Sequence, residues 1–213
     1  MSAPAAAMTP TLAAPWRARI LALGPSVEFV SWIDGLPPET TYTAAWIACP
    51  RGDWMLWLIA RCEPIRSSAA WSDARRPLVL ASVDCARLAL PAFEARYPGD
   101  DRPRRCLDTT AAWVASEATQ KGVERAQSGA WAAYIGVYSA DAAASAAAAW
   151  AADAAYASSA AAAYVAADAA AADAAAADAA YVDAAAWAAA AAAIVRARFP
   201  APPELPDDAG GAS

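Results

Sequence analysis

Apolar and polar positions alternate in short, punctuated blocks over the first half of this chain. Val27, Phe29, Val30, Trp32 and Ile33 follow Pro25-Ser26 and precede Gly35 and Pro37-Pro38, which predicts a short helix capped by Ser26. A second helix is expected from Thr40 or Thr41, carrying Tyr42, Ala45, Trp46 and Cys49. Pro50-Arg51-Gly52-Asp53 then reads as a turn, with Asp53 as N-cap of Trp54–Arg61. That octad is apolar nearly all round, as befits a helix at the centre of a fold. Arg76 to Tyr97 reads as one helix, with Leu78, Leu80, Val83, Leu88 and Leu90 apolar and a kink at Pro91. After the Pro98-Gly99-Asp100-Asp101 loop, Asp101 is placed to cap a helix that opens at Arg102-Pro103 and runs through Leu107, Trp113 and Val114.

The second half has a different texture. Asp141 to Ala193 holds 37 alanines in 53 residues, and no Gly or Pro falls between Val137 and Phe199. Alanine has the highest helix propensity because it loses no side-chain entropy, so this tract can only be helical. A single helix over 137–199 would be about 95 Å long without a heptad seam to hold it. Breaks are therefore expected, at Ser139 or Asp141 and at Ser158-Ser159. The predicted fold is all-α, a compact multi-helix bundle whose Ala-rich C-terminal helices pack closely. Its expected organisation is a flexible tail over 1–19, one helical domain over 20–199 (a Trp/Arg-rich half, 20–106, and an Ala-rich half, 107–199) and a flexible tail over 200–213.

Charge divides the chain in the same way. Residues 1–106 carry 12 arginines against 10 acids, and residues 107–213 carry 4 basic against 12 acidic groups, for a total of −6. An acidic balance argues against direct nucleic-acid or anionic-membrane binding. The recurring Asp residues also argue against a transmembrane tract, since each would cost roughly 2.5–3.5 kcal/mol at mid-bilayer. Residues 1–15 lack the basic and leucine-rich regions of a signal peptide. Histidine is absent, and Cys49, Cys62, Cys85 and Cys106 lack zinc or redox spacing. They read as buried thiols in a reducing compartment, with cytoplasmic localisation expected.

Two groups of residues carry candidate chemistry. Asp168, Asp173, Asp178 and Asp183 recur every five residues. Each step turns roughly 140°, so they spiral around a helix instead of forming one stripe. Solubilising an alanine surface, pairing with Arg87, Arg102, Arg104 or Arg105 of the other half, and contacting a basic partner all remain open for them. Arg102-Pro103-Arg104-Arg105 fits either a phosphate or carboxylate clamp or an internal ion-pair network. No catalytic, cofactor-binding or metal-binding residue is expected. Without His there is no conventional base for a Ser or Cys nucleophile, and Asp100-Asp101 is more simply a turn and cap. An enzyme would require a deep polar pocket at Arg102 or Arg105 with coupled carboxylates. An ice-binding array would require regularly spaced Thr, whereas residues 111–213 contain only Thr119.

The order Thr-Ala-Ala-Trp-Ile-Ala-Cys-Pro-Arg-Gly-Asp-Trp-Met-Leu-Trp-Leu (43–58), Asp84-Cys85-Ala86-Arg87-Leu88, and Gly99-Asp100-Asp101-Arg102-Pro103-Arg104-Arg105, followed by an Ala-rich tract, resembles the alanine-rich immunity proteins of bacterial polymorphic toxin systems, which also occur on phages. The likeness spans roughly residues 20–199. Asp53, Trp54, Trp57, Arg87, Arg102, Arg104 and Arg105 are its structural motif residues. The resemblance implies an all-helical inhibitor acting by direct binding; a non-enzymatic protein of the bacterial cytosol, a monomer or small homo-oligomer, is expected. Its expected partner is a protein toxin or defence effector, basic or nucleic-acid-binding, contacted by Asp168, Asp173, Asp178 and Asp183. The alternative is a phage-encoded anti-defence inhibitor that offers a host nucleic-acid-processing complex an acidic, phosphate-like surface.

Overall fold

A computed structural model of the chain describes residues 14–137 and 184–206, and these are all-α, with nine α-helices and no strand among the described residues. In chain order the helices are α1 (Pro15–Ala22), α2 (Val27–Asp34), α3 (Tyr42–Ala48), α4 (Gly52–Arg61), α5 (Arg76–Arg87), α6 (Leu90–Arg96), α7 (Arg102–Val114), α8 (Gln120–Val137) and α9 (Ala184–Arg198). The helix breaks expected at Ser139, Asp141 and Ser158-Ser159 lie outside the described residues, as do Asp168, Asp173, Asp178 and Asp183.

The helix starts follow local capping chemistry. Ser26 Oγ accepts from the Phe29 N–H and Thr41 Oγ1 from the Ala44 N–H, each satisfying a first-turn donor. Two expectations are corrected. Asp53 is not an N-cap: α4 begins one residue earlier, at Gly52, because the Arg51 guanidinium holds both Asp53 oxygens, with Nε 3.0 Å from Oδ1. In the first turn its charge still complements the helix dipole. The helix over Arg76–Tyr97 is not kinked but divided into α5 and α6. Pro91 has no N–H to offer the Arg87 carbonyl, and the chain crosses the gap in tighter turns, Leu88 N–H to Cys85 O and Ala89 N–H to Ala86 O, both 3.1 Å.

Two cores share α5 as a wall. Leu78 and Cys85 face a core built on α4 (Trp54, Met55, Trp57, Leu58, Ile59), to which α1, α2, α3 and α9 contribute Ile20, Ile33, Trp46 and Val195. Val79, Val83 and Ala86, on the opposite face, close a second core with Phe93 of α6, Leu107 and Trp113 of α7, and Val123, Ala130 and Ala133 of α8. The apolar α4 octad is thus central, as its composition requires.

The expected tail boundaries also shift. Pro15–Arg19 belong to α1, where Trp16 and Ile20 are buried and the Trp16 indole donates to Thr40 O at 3.0 Å. Arg17 is buried too, and its guanidinium donates to Ile33 O (2.7 Å), Leu36 O (3.0 Å) and Pro37 O (2.6 Å). Residues 200–206 lie against α1 and α3. Leu205 is buried, Tyr42 Oη donates to Pro203 O at 3.1 Å, and Arg19 Nε donates to Pro206 O at 2.8 Å. Ordinary apolar burial and arginine-to-carbonyl bonds hold both segments, and neither leaves a periodic signal in so short a stretch.

Candidate functional site

The motif residues separate into a buried set and a surface set. Trp54 and Trp57 are buried against α2, where Phe29 stacks on Trp54 at 5.0 Å and meets Trp57 edge-on at 5.9 Å. The Arg51 guanidinium bridges Asp53 and the Trp54 face, 4.8 Å from that ring's centroid, while Arg61 lies 4.2 Å from the Trp57 centroid. The Asp53-Trp-x-x-Trp motif therefore builds the core and its edge.

Each surface arginine of the motif has a carboxylate near it in sequence or on a neighbouring helix. Arg87 joins α5 to α7 through Asp108 at 2.9 Å, with Asp84 of its own helix at 3.7 Å. Arg104 reaches back to Glu94 of α6, and Arg105 Nε lies 3.2 Å from Asp101 one turn earlier. Arg102 forks onto Asp100, with Nε 2.8 Å from Oδ1, and its backbone N–H donates to the same oxygen at 3.1 Å. Asp100, not Asp101, thus satisfies the start of α7, correcting the expected cap. The Arg102 fork holds the Asp100 carboxyl below its ordinary range, with the backbone bond adding to the effect against partial desolvation. The side-chain bond to Asp100 raises Arg102, as the Glu94 bond raises Arg104.

These pairs leave a groove between α7 and α8. Arg102, Arg105 and Thr109 lie at i, i+3 and i+7 on α7, and Gly122, Ala126 and Gly129 at i, i+4 and i+7 on α8, with Arg125 beside them. The helices run antiparallel: Thr109 Cγ2 is 3.7 Å from where a Gly122 Cβ would stand, and Arg102 Cγ is 4.0 Å from a Cβ at Gly129. The open space measures about 310 Å³. Among the described residues no carboxylate lines it.

This grouping is only half visible in the sequence. Arg102 and Arg105 announce themselves as a basic run, whereas Thr109, Gly122, Arg125 and Gly129 were missed. Two glycines seven apart in a helix of an alanine-rich chain were the available signal.

The cysteines offer no nucleophile. All four are buried, and desolvation pushes Cys62 up to about 11 and Cys49, Cys85 and Cys106 up to about 12. Among the described residues there is no cluster of three or more metal-ligating side chains, and no helix is long and apolar enough to cross a membrane.

Residues 69–133 match the Imm-5 like putative immunity protein family. The Imm-5 like segment starts in the loop before α5, contains α5, α6 and α7, and takes in most of α8, including the whole groove. It supports the immunity-protein likeness carried by Arg87, Arg102, Arg104 and Arg105, all of which fall within it. No curated protein and no solved structure matches the chain. Arg75, at the N-terminal side of the Imm-5 like segment, is 3% exposed and donates to Ile65 O (3.3 Å), Ser68 O (3.2 Å) and Ala69 O (3.2 Å). Like Arg17, it fastens a loop by its carbonyls.

Proposed function

We propose that this chain is a non-enzymatic, immunity-like inhibitor that neutralises a protein toxin by binding it directly and covering its working surface. The observation that carries this reading is the match of residues 69–133 to an immunity-protein family. The chemistry of the described residues is in keeping with it: thiols held protonated by burial, and motif carboxylates engaged by arginines. In this reading the free buried cysteines fit a reducing cytosol.

The partner we infer is basic, a nuclease being one example, because a chain of net charge −6 with 12 acids in residues 107–213 would steer such a protein into contact. Asp168, Asp173, Asp178 and Asp183 would form the contact face. The test is co-expression with each toxin encoded beside the gene. A stoichiometric complex and restored growth are expected, and the absence of a stoichiometric partner among those toxins overturns the proposal. Changing the four aspartates to Asn should slow association and flatten its salt dependence, and an unchanged rate would reject them as the contact face.

A further inference from the structure

The groove between α7 and α8 has a chemistry that occlusion of a basic protein does not use. We propose that it is a binding site for a short polyphosphate, either free or as the phosphate tail of a nucleotide, held by Arg102, Arg105 and Arg125.

Charge is the first argument. Three arginines line the space, two from α7 and one from α8, and guanidinium forks match phosphate oxygens bidentately. Arg102 is steadied by its Asp100 fork. Arg105 shares an exposed pair with Asp101, both side chains about two-thirds accessible, and solvent screening makes such a pair easy to exchange for a multivalent anion. Arg125 is exposed and has no carboxylate partner among the described residues. Asp100 and Asp101 sit on the groove's own Arg102 and Arg105, while Asp108 pairs with Arg87, Glu94 with Arg104, and Glu124 accepts from Gln120.

Space is the second. About 310 Å³ corresponds to roughly ten water molecules at ~30 Å³ each, more than one phosphate needs and within the range of ligand pockets. Glycine makes that room. Inside a helix it is less favourable than alanine, yet this alanine-rich chain places it at both ends of the groove floor. Packing does not require it at Gly129, where a Cβ would meet only Arg102 Cγ at 4.0 Å.

Calorimetry of the full chain at low salt, with sodium tripolyphosphate and separately with ATP, tests the proposal. One-to-one binding is expected, weakened about tenfold or more by Arg125→Ala through loss of its charge-assisted bonds. Gly129→Gln should weaken it comparably by filling the groove without changing charge, and Lys121→Ala, exposed on α8 outside the lining, should leave it unchanged. Thermal melts confirm folding of each variant, and the exposed Arg125 carries the test should Gly129→Gln not fold. Tighter binding of ATP identifies a nucleotide as the source, whereas equal or weaker binding identifies free polyphosphate. Absence of binding to both at millimolar concentration, or equal weakening by Arg125→Ala and Lys121→Ala, overturns the proposal.

Discussion

A Cβ built on Gly52 would stand 2.5 Å from the carbonyl carbon of Ala191 and 2.7 Å from its Cβ, so the start of α4 and the middle of α9 meet backbone to backbone. Ala191 and Ala192 are fully buried at this crossing. Two residues with almost no side chain let the C-terminal alanine helix lie directly on the central apolar one. Gly52→Ala is therefore expected to destabilise the fold by on the order of 3 kcal/mol, because the obstructing atoms are backbone and cannot swing aside. Urea unfolding measures it, with Gly35→Ala, whose nearest atoms would be 3.5 Å away, as a control changing by less than ~1 kcal/mol.

Arg17 should prove indispensable to the N-terminal third. Its three carbonyl acceptors lie at the end of α2 and in the turn that follows, and removing the guanidinium strands them. Arg17→Met is expected to cost about 3 kcal/mol in chemical denaturation. Arg17→Lys should recover only part of that, since one ammonium cannot span three acceptors as a planar fork does. Full recovery by lysine would show that charge alone matters there.

The four thiols link stability to alkaline pH. Burial raises Cys62 to about 11 and the other three to about 12, whereas in the unfolded chain they ionise near ~8.5. The folded state then keeps protons that the unfolded state releases. Stability from this source is complete below about pH 8 and declines as pH rises toward 12. Denaturation midpoints across that range should fall, and they should fall less in a variant with Cys49 and Cys106 changed to Ala, once its lower starting stability is subtracted. An aromatic disulfide reagent at neutral pH should leave the native thiols largely unmodified and titrate all four in denaturant.

At Gly129 the expected sign is the reverse of that at Gly52. Alanine there meets Arg102 Cγ at an ordinary 4.0 Å, so Gly129→Ala should stabilise α8 by up to ~1 kcal/mol. A thermal melt decides it, and a loss of stability would mean that the glycine is needed for packing.

The helices that could be located from sequence are those whose ends carry their own chemistry. Ser26 and Thr41 cap where their hydroxyls predict, and the apolar Trp54–Arg61 run lies at the centre because no face of it suits water. Pro91 was legible as a disruption, but whether a proline bends a helix or ends it depends on what the two pieces pack against. The arginines were less legible. Their number and position were plain, yet Arg17 and Arg75 serve buried carbonyls, and Arg102, Arg104 and Arg105 find acids within their own half. A guanidinium accepts either kind of partner, and only the folded chain decides which is near.

By itself the sequence determined the fold class, since alanine propensity, helix caps and apolar periodicity are properties of neighbouring residues and need no distant partner. It also determined the acidic balance and the residues that resemble an immunity family. Tertiary structure alone decided that Gly52 must be glycine, that residues 15–19 and 200–206 belong to the packed body, and that Arg102, Arg105 and Arg125 share one groove. Each of these depends on the approach of segments far apart in the chain, where a missing side chain or a long flexible one takes its meaning from whatever is brought against it.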